Sequence, residues 1–351
     1  MYHFTTYFDR NYLSRGLVLY ESLKANCKQF ELYILCLDDF TSIFFKQNSD
    51  KFPEVKLILL NELEGDDEVL RACKSNRSQI EYYFTLSPCL PLYILKNFKI
   101  PHVCSLDADI MFFSSVESIF KLLDQYSILI TPHKLSSRLS NELRLRYGKY
   151  NVSFQVFKNN KTGLGCLEKW RGDCIDWCYD YYDDKNGGRF ADQKYLDNWH
   201  AYYPGEVASL DMPSVGLAVW NIDNYSYTRQ NDLTYINNEP LIFYHFHHFK
   251  ILSDNIALNA FNDYMVSRSV DIIADYIYLP YWNNLSKFND TLHMQSDFFI
   301  RRNSNASKWK QVFDKGTVFV KFNGRIFNFS VVLFRDSIFL VKKVYGLFSR
   351  S

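Results

Sequence analysis

No run of about 18 consecutive apolar residues occurs in this 351-residue chain, so the sequence predicts no transmembrane helix. The opening, MYHFTTYFDRNYLSRG, lacks the basic segment and apolar core of a secretory signal, which sets the expectation of a cytoplasmic protein. Charge of one sign is missing as well. Forty Lys and Arg against 39 Asp and Glu leave a net charge of +1, without the basic footprint of nucleic-acid binding. The eight cysteines include no CxxC pair. Cys174 and Cys178, four apart on one face of a helix, come nearest to a zinc pair. With no second pair or Cys/His set at zinc spacing, they read as reduced, buried thiols suited to a reducing compartment. Internal repeats and low-complexity tracts are absent too. The N-terminal segment FTTYFDRNY also lacks the Gly-rich phosphate loop followed by Arg that a nucleotidyltransferase would need.

What remains is an ordinary globular composition, 47% hydrophobic and 23% charged, long enough for one large domain with an appendage or for two domains. Aromatic content is high at 18%, with 30 Phe and 26 Tyr, reflecting either an AT-rich codon bias or stacking surfaces for sugars and bases. Residues 2–8 read as a strand. Asp9, Arg10, Asn11 and Tyr12 form a loop, and Leu13, Leu17, Tyr20 and Leu23 follow at helical spacing with Ser14 as an N-cap. Residues 31–37 and 55–60 are short apolar strands, so the opening predicts a parallel sheet with crossover helices. The next helix, 78–97, is expected to break or kink at Pro88 and Pro91. A strand over 102–106 then runs into Asp107-Ala108-Asp109, with the apolar run 110–113 beyond. Further expectations are a strand at 152–157, a helix over 164–182 turning Leu167, Trp170, Cys174, Trp177 and Cys178 inward, a turn at Gly187-Gly188, a helix at 191–199 and a strand at 241–247. From residue 283 the character changes. Asn and Ser become frequent through 283–307, suggesting a linker or an insertion, and 316–334 reads as a hairpin about Asn323-Gly324. The expected division is a main α/β domain over 1–282 and an extension over 283–351, the first being the part that would carry any catalytic site.

Chemistry concentrates at Asp107 and Asp109. Two Asp residues spaced by one are weak evidence alone and could be a solvated loop or a helix N-terminus. Here CSLDADIMFF flanks them with apolar runs, and acidic residues at the carboxyl end of a strand sit where open α/β sheets bind ligands. Two hard oxygen donors suit Mg²⁺ or Mn²⁺ against a diphosphate. Asp192-Gln193 could cap a helix or face a ligand. Of the histidine cluster, 245 and 247 would share a strand face. Arg77 could meet phosphate or be structural.

In this order, FTTYFDRNYLSRGLVLYESL, SLDADIMFF, GRFADQKYLDNW and FYHFHHFK resemble the GT-A nucleotide-diphospho-sugar transferases, most of all the retaining enzymes of glycosyltransferase family 8 and their bacterial relatives. The resemblance spans roughly residues 2–250. It implies an α/β fold of GT-A (Rossmann-like) type, with a mostly parallel central sheet flanked by helices and a small C-terminal appendage. It also implies a hexosyltransferase working with Mn²⁺ or Mg²⁺. Asp107, Asp109 and His245 would hold the metal, and Asp192 and Gln193 would stand at the donor sugar as catalytic residues. The nucleotide-sugar would meet Thr5, Thr6, Tyr12 (stacking on the base), Asp38, Arg77, Asp107, Ala108, Asn151 and Lys250. YNVSFQVF keeps Asn151 but not the glycines that usually follow, and Val219 replaces the Pro expected before Trp220. The implied partners are a nucleotide-sugar, by default a UDP-sugar, and a glycan or lipid-linked acceptor of surface-polysaccharide or lipopolysaccharide synthesis. The alternatives are a sugar-nucleotide nucleotidyltransferase and a catalytically silent binding protein. The tail, with Lys342 and Lys343 beside Phe339, Tyr345 and Phe348, either meets the inner membrane face or packs on the domain as a helix.

Overall fold

The computed structural model describes residues 1–267, 271–295, 317–334 and 337–342. Its central sheet uses β1 (Tyr2–Phe8), β2 (Phe30–Cys36), β3 (Val55–Leu59), β4 (His102–Leu106), β6 (Ile128–Pro132), β7 (Tyr150–Lys158) and β8 (Val207–Ser209). The spatial order is β3-β2-β1-β4-β7-β6-β8, and only β7 runs against its neighbours. This is the mostly parallel sheet expected. The 152–157 strand proves to be the reversed one. Three short strands, β5 (Ile110–Phe112), β9 (Leu217–Ala218) and β13 (Phe243–His245), make a second sheet in the order β5-β13-β9. A meander of β10 (Tyr227–Gln230), β11 (Leu233–Ile236) and β12 (Glu239–Pro240) lies between them in sequence. The remaining sheet is β14 (Lys250–Ser253), β15 (Ile256–Leu258), β16 (Thr317–Phe322), β17 (Arg325–Phe334) and β18 (Ser337–Lys342), antiparallel throughout.

Both faces of the central sheet are covered, which is why its strands read as continuous apolar runs. On one face Phe4 and Phe8 meet α1 (Leu13–Asn26) through Leu13, Leu17, Tyr20 and Leu23. Ser14 lies buried within this helix, not at its cap. The short helices α2 (Asp39–Gln47), α3 (Leu60–Asp66) and α4 (Glu68–Ala72) follow along the chain. On the opposite face α5 (Gln79–Asn97) packs on α8 (Lys161–Asp176), with α6 (Glu117–Phe120) and α7 (Asn141–Tyr147) between them in sequence. Contrary to the expected break, α5 runs unbroken through Pro88 and Pro91. An interior proline costs about 3 kcal/mol. Here both prolines are buried with Leu86, Leu90, Ile94 and Leu95, whose burial at roughly 1.5–3 kcal/mol each outweighs that cost. Helix α8 stops at Asp176, short of residue 182; Leu167, Trp170 and Cys174 within it and Trp177 and Cys178 beyond it are all buried. Over 191–199 a 3₁₀ turn at Lys194–Asn198 leads into the short α9 (Trp199–Tyr202) in place of one helix.

Of the expected linker over 283–307, residues 283–295 form a helix, and 296–307 lie outside the described residues. After α10 (Asp271–Ile273) and a π turn, α11 (Leu279–Gln295) buries Tyr281, Leu285 and Leu292 at helical spacing. Its Asn283 and Asn284 lie on the exposed side, so composition signalled a linker where periodicity makes an amphipathic helix. The hairpin about Asn323-Gly324 forms as expected, both turn residues having positive φ. The boundary drawn at 282/283 falls inside α11, and β15 pairs with β16 across it. In the tail, residues 337–342 form a strand on β17 where a helix was the packed alternative, while 343–351 lie outside the described residues. Among the described residues no helix is long and apolar enough to cross a membrane.

Candidate metal and ligand site

The chain leaves β1 toward β2 and β3, then returns to lay β4 on the other side of β1. That reversal opens a crevice beyond the carboxyl ends of β1 and β4, the place where sheets of this kind bind ligands. Asp9–Tyr12 leave β1 there and Asp107–Asp109 leave β4. The Asp107 amide donates to the Ser153 carbonyl at 3.0 Å, tying the acidic segment to β7. The chain then enters β5, where Ile110 faces His245 of β13, and the Phe246 amide donates to the Asp109 carbonyl at 2.9 Å. This register brings together side chains 136 residues apart. His245 Nε2 lies 3.1 Å from Asp109 Oδ1 and 3.6 Å from Asp107 Oδ2. Asp109 and His245 are buried, whereas the Asp107 side chain keeps 38% exposure to the crevice.

One ligand atom from each of Asp107, Asp109 and His245 falls within 4.8 Å of the others. Two carboxylates and an imidazole are a donor set for a divalent cation with mixed oxygen and nitrogen preference, such as Mn²⁺. Without a cation, the charges arrange themselves around the imidazole. Burial opposes ionisation of Asp109, yet the His245 charge and hydrogen bond, with Arg15 behind them, hold its carboxyl below the usual range. Burial, Asp109 and Asp192 push Asp107 the other way. Burial opposes protonation of His245, but Asp109 and then Asp107 outweigh it and raise the imidazole. A divalent cation bound here would take the place of that proton. Strand alternation does not extend to His247. The strand ends at His245, and His247 stacks on His248 at 3.8 Å and abuts Trp220.

The other expected residues divide into two groups. Tyr12 stands at the head of α1, exposed, with the Arg15 guanidinium 4.4 Å over its ring. Although the residue as a whole is exposed, desolvation of its phenol end and the charge of Asp109 raise its pKa, so the ring lies within the field of that carboxylate. Asp192 is buried, with one carboxyl oxygen unpartnered; burial raises its pKa to about 6 against a hydrogen bond from Ser87. Gln193 donates to the Tyr147 carbonyl at 3.1 Å. Asn151 is buried, its carbonyl accepting from Ser153 and its amide nitrogen unpartnered. Ala108 is buried between the two acids, and Thr6 buries an unpartnered hydroxyl. The rest have contacts of their own. Thr5 donates to the Tyr33 carbonyl, Asp38 caps α2 and holds Arg10 at 2.6 Å, and Arg77 bonds Thr85 and the Ile175 carbonyl. Lys250 begins β14, paired opposite Leu258.

Four side chains at the site were not picked out, or only loosely, from sequence. Arg15 bonds the Phe249 carbonyl at 3.1 Å; its spacing of three from Tyr12 on a helix was the available signal. Trp220 places its ring 5.3 Å from His245 and 5.7 Å from His133. Tyr281, from α11, stacks on Phe246 at 3.6 Å and buries an unpartnered hydroxyl in the field of Arg15 and Asp109. Neither His133 nor Tyr281 carries a local signal.

No family model matches the chain. It is similar to the uncharacterised protein YfnD of Bacillus subtilis (strain 168), 30% identical over 292 residues, which cover 83% of this chain and 91% of that protein. YfnF of the same organism is 27% identical over 259 residues, 72% of this chain and 83% of that one. Among solved structures, the galactosyltransferase LgtC with donor and acceptor sugar analogues is 14% identical at TM-score 0.48, covering 69% of this chain and 86% of that one. Mouse xyloside xylosyltransferase 1 is 14% identical at TM-score 0.45, over 70% of this chain and 97% of that one. The glycosyltransferase GlyE of Streptococcus pneumoniae TIGR4 is 15% identical at TM-score 0.45, over 83% of this chain and 63% of that one.

Proposed function

This chain belongs to the family of Bacillus subtilis YfnD, and we propose that it is a metal-dependent glycosyltransferase of the GT-A type. The donor is a nucleotide-sugar, by default a UDP-hexose, and the acceptor a glycan or lipid-linked glycan of surface-polysaccharide or lipopolysaccharide synthesis. One observation carries the reading: Asp107, Asp109 and His245 meet at the switch point of the central sheet, with Asp192 buried nearby. The ordered resemblance of four segments supports it.

In this reading Asp107, Asp109 and His245 hold Mn²⁺ or Mg²⁺, which would neutralise charge on the departing nucleoside diphosphate. Tyr12 offers an aromatic face to the base. Asp192 and Gln193 face the donor sugar, where a carboxylate and an amide oxygen stabilise positive charge growing on the anomeric carbon. The acceptor hydroxyl oxygen bonds to that carbon as the bond to the donor phosphate oxygen breaks. The hydroxyl proton passes to that phosphate oxygen, on the same face, giving retention. Gln193 is a poor nucleophile, so no covalent sugar–enzyme bond is invoked.

The test is a screen of UDP-, GDP- and dTDP-sugars with purified full-length protein, read by released nucleoside diphosphate with and without Mn²⁺. Release should require the cation, and Asp107→Asn or Asp109→Asn should lower it at least about 100-fold, the scale of removing electrostatic stabilisation from a transition state. Silence with every donor, or release indifferent to both cation and substitutions, would overturn the reading.

A further inference from the structure

Beside the metal-ligand cluster lies a cavity of about 650 Å³ whose charge is out of keeping with the near-neutral chain. Lys134, Arg144, Lys149 and Lys194 line it, against one carboxylate, Asp197. That carboxylate is already committed, accepting from the Lys194 ammonium at 2.8 Å and from the Lys149 amide at 2.7 Å. Gly148, at φ +81°, makes room for it: a Cβ there would lie 2.9 Å from an Asp197 oxygen. Three of the four cations are held in place by the protein, Lys194 by Asp197, while Lys149 is exposed. Lys134 donates to the Met212 carbonyl at 2.7 Å, and Arg144 is held by the Leu135, Ser136 and Leu139 carbonyls. With Lys194 paired to Asp197, the positive groups of Lys134, Arg144 and Lys149 remain on one concavity, and a bound anion would relieve their mutual repulsion.

The position of the cavity matters as much as its charge. His133 lines it, and the Trp220 ring meets both His133 and His245. Lys194 follows Gln193, whose amide is held by the Tyr147 carbonyl at the end of α7. The cavity is therefore one aromatic ring away from the metal ligands and shares a wall with the Asp192-Gln193 segment. Its volume falls in the range of small-ligand sites, large enough for a sugar bearing a charged substituent.

We infer that this cavity receives the anionic group, phosphate or carboxylate, of a negatively charged acceptor glycan. The inference rests on the transferase reading above and specifies its acceptor. The donor diphosphate is already served by the metal-ligand cluster, leaving the second set of cations for the other substrate.

The experiment titrates the full chain, with UDP and Mn²⁺ present to occupy the donor side, with glucose 6-phosphate, glucuronate and methyl glucoside, and repeats this with Lys149→Glu. Lys149 is exposed, so the substitution should leave folding intact, checked by thermal melting. Binding of an anionic probe should be at least tenfold weaker in Lys149→Glu and restored in Lys149→Arg, with methyl glucoside weak throughout. Preference for glucose 6-phosphate would indicate a phosphate-bearing acceptor; preference for glucuronate, a uronic acid. Failure of both anions to bind, or equal affinity in Lys149→Glu, would overturn the inference. Donor hydrolysis measured on the same preparations separates the two readings. Hydrolysis without anion binding sinks only the acceptor assignment. Anion binding without hydrolysis of any donor leaves an anion site and overturns the assignment of that site to an acceptor.

Discussion

Asp192 illustrates a conflict between stability and function within one residue. Its carboxyl is 2% exposed, and burial raises its pKa to about 6 from an unperturbed 3.8. The folded state therefore holds a proton that the unfolded chain has lost, between those two values. Stability from this group is fully present below about pH 4 and is lost as pH rises through 6. At pH 7.5 the ionised group costs about 3 kcal/mol, from roughly 1.4 kcal/mol per pKa unit. Asp192→Asn should therefore raise the melting temperature of metal-free protein more at pH 7.5 than at pH 4.5, while abolishing transfer. A melting temperature that falls at both pH values would mean the carboxylate is paid for by contacts other than those described. Tyr12 makes a second case. Stacking of a base on an aromatic ring is worth about 1–3 kcal/mol, so Tyr12→Ala should raise the donor KM by roughly tenfold or more. Tyr12→Phe should leave it nearly unchanged, because the face and not the hydroxyl is used.

At the scale of elements, the crevice depends on how closely α1 approaches β1. Gly16 is the point of contact: a Cβ there would stand 2.3 Å from the tip of the buried Phe8 ring. Two effects compete in Gly16→Ala. Helix propensity favours Ala by about 1 kcal/mol, whereas overpacking a core costs typically 1–3 kcal/mol. With the ring held by its neighbours, overpacking wins. The denaturation midpoint should fall, and because Tyr12 and Arg15 ride on the same helix, donor affinity should fall with it. A raised midpoint would show that Phe8 moves aside. The second sheet works through register instead. A slip of one residue between β5 and β13 would turn His245 away from the carboxylates, since alternate residues of a strand point to opposite faces.

At the scale of the whole molecule, α11 and the 317–334 hairpin are built into the core that supports the site. Tyr281, Trp282 and Leu285 of α11 share one apolar cluster with Phe246 and Phe249, which flank the histidine segment, and with Phe319 and Ile326 of the hairpin. A chain ending at residue 282 would keep the first turn of α11 and lose Leu285, Leu292, Val318, Phe319 and Ile326, all buried. At about 2–5 kcal/mol for each large side chain, that exceeds a domain's whole stability of roughly 5–15 kcal/mol. The truncated protein should be insoluble, or lose its near-ultraviolet circular dichroism and its cooperative melting. Unchanged cooperative unfolding would instead make residues 283–351 a separable unit, as their composition suggests.

Much of the candidate site could be read before any coordinates because its parts are short and contiguous. A strand running into Asp107-Ala108-Asp109, the Asp192-Gln193 pair and a histidine-rich late strand are local patterns, and local periodicity also marked β1 to β4, α8 and the Asn323-Gly324 hairpin. The misreadings came where composition was counted without regard to face. Asn283 and Asn284 suggested a linker although Tyr281, Leu285 and Leu292 kept helical spacing, and Pro88 and Pro91 suggested a break in a helix whose burial holds it together. Only the tertiary structure decided which distant residues meet. The β5–β13 register selects His245 over His247, strand reversal of β7 supplies the carbonyl that pins Asp107, and α11 brings Tyr281 under Phe246 from far along the chain. Periodicity is a property of neighbouring residues, whereas these meetings depend on strand order and packing.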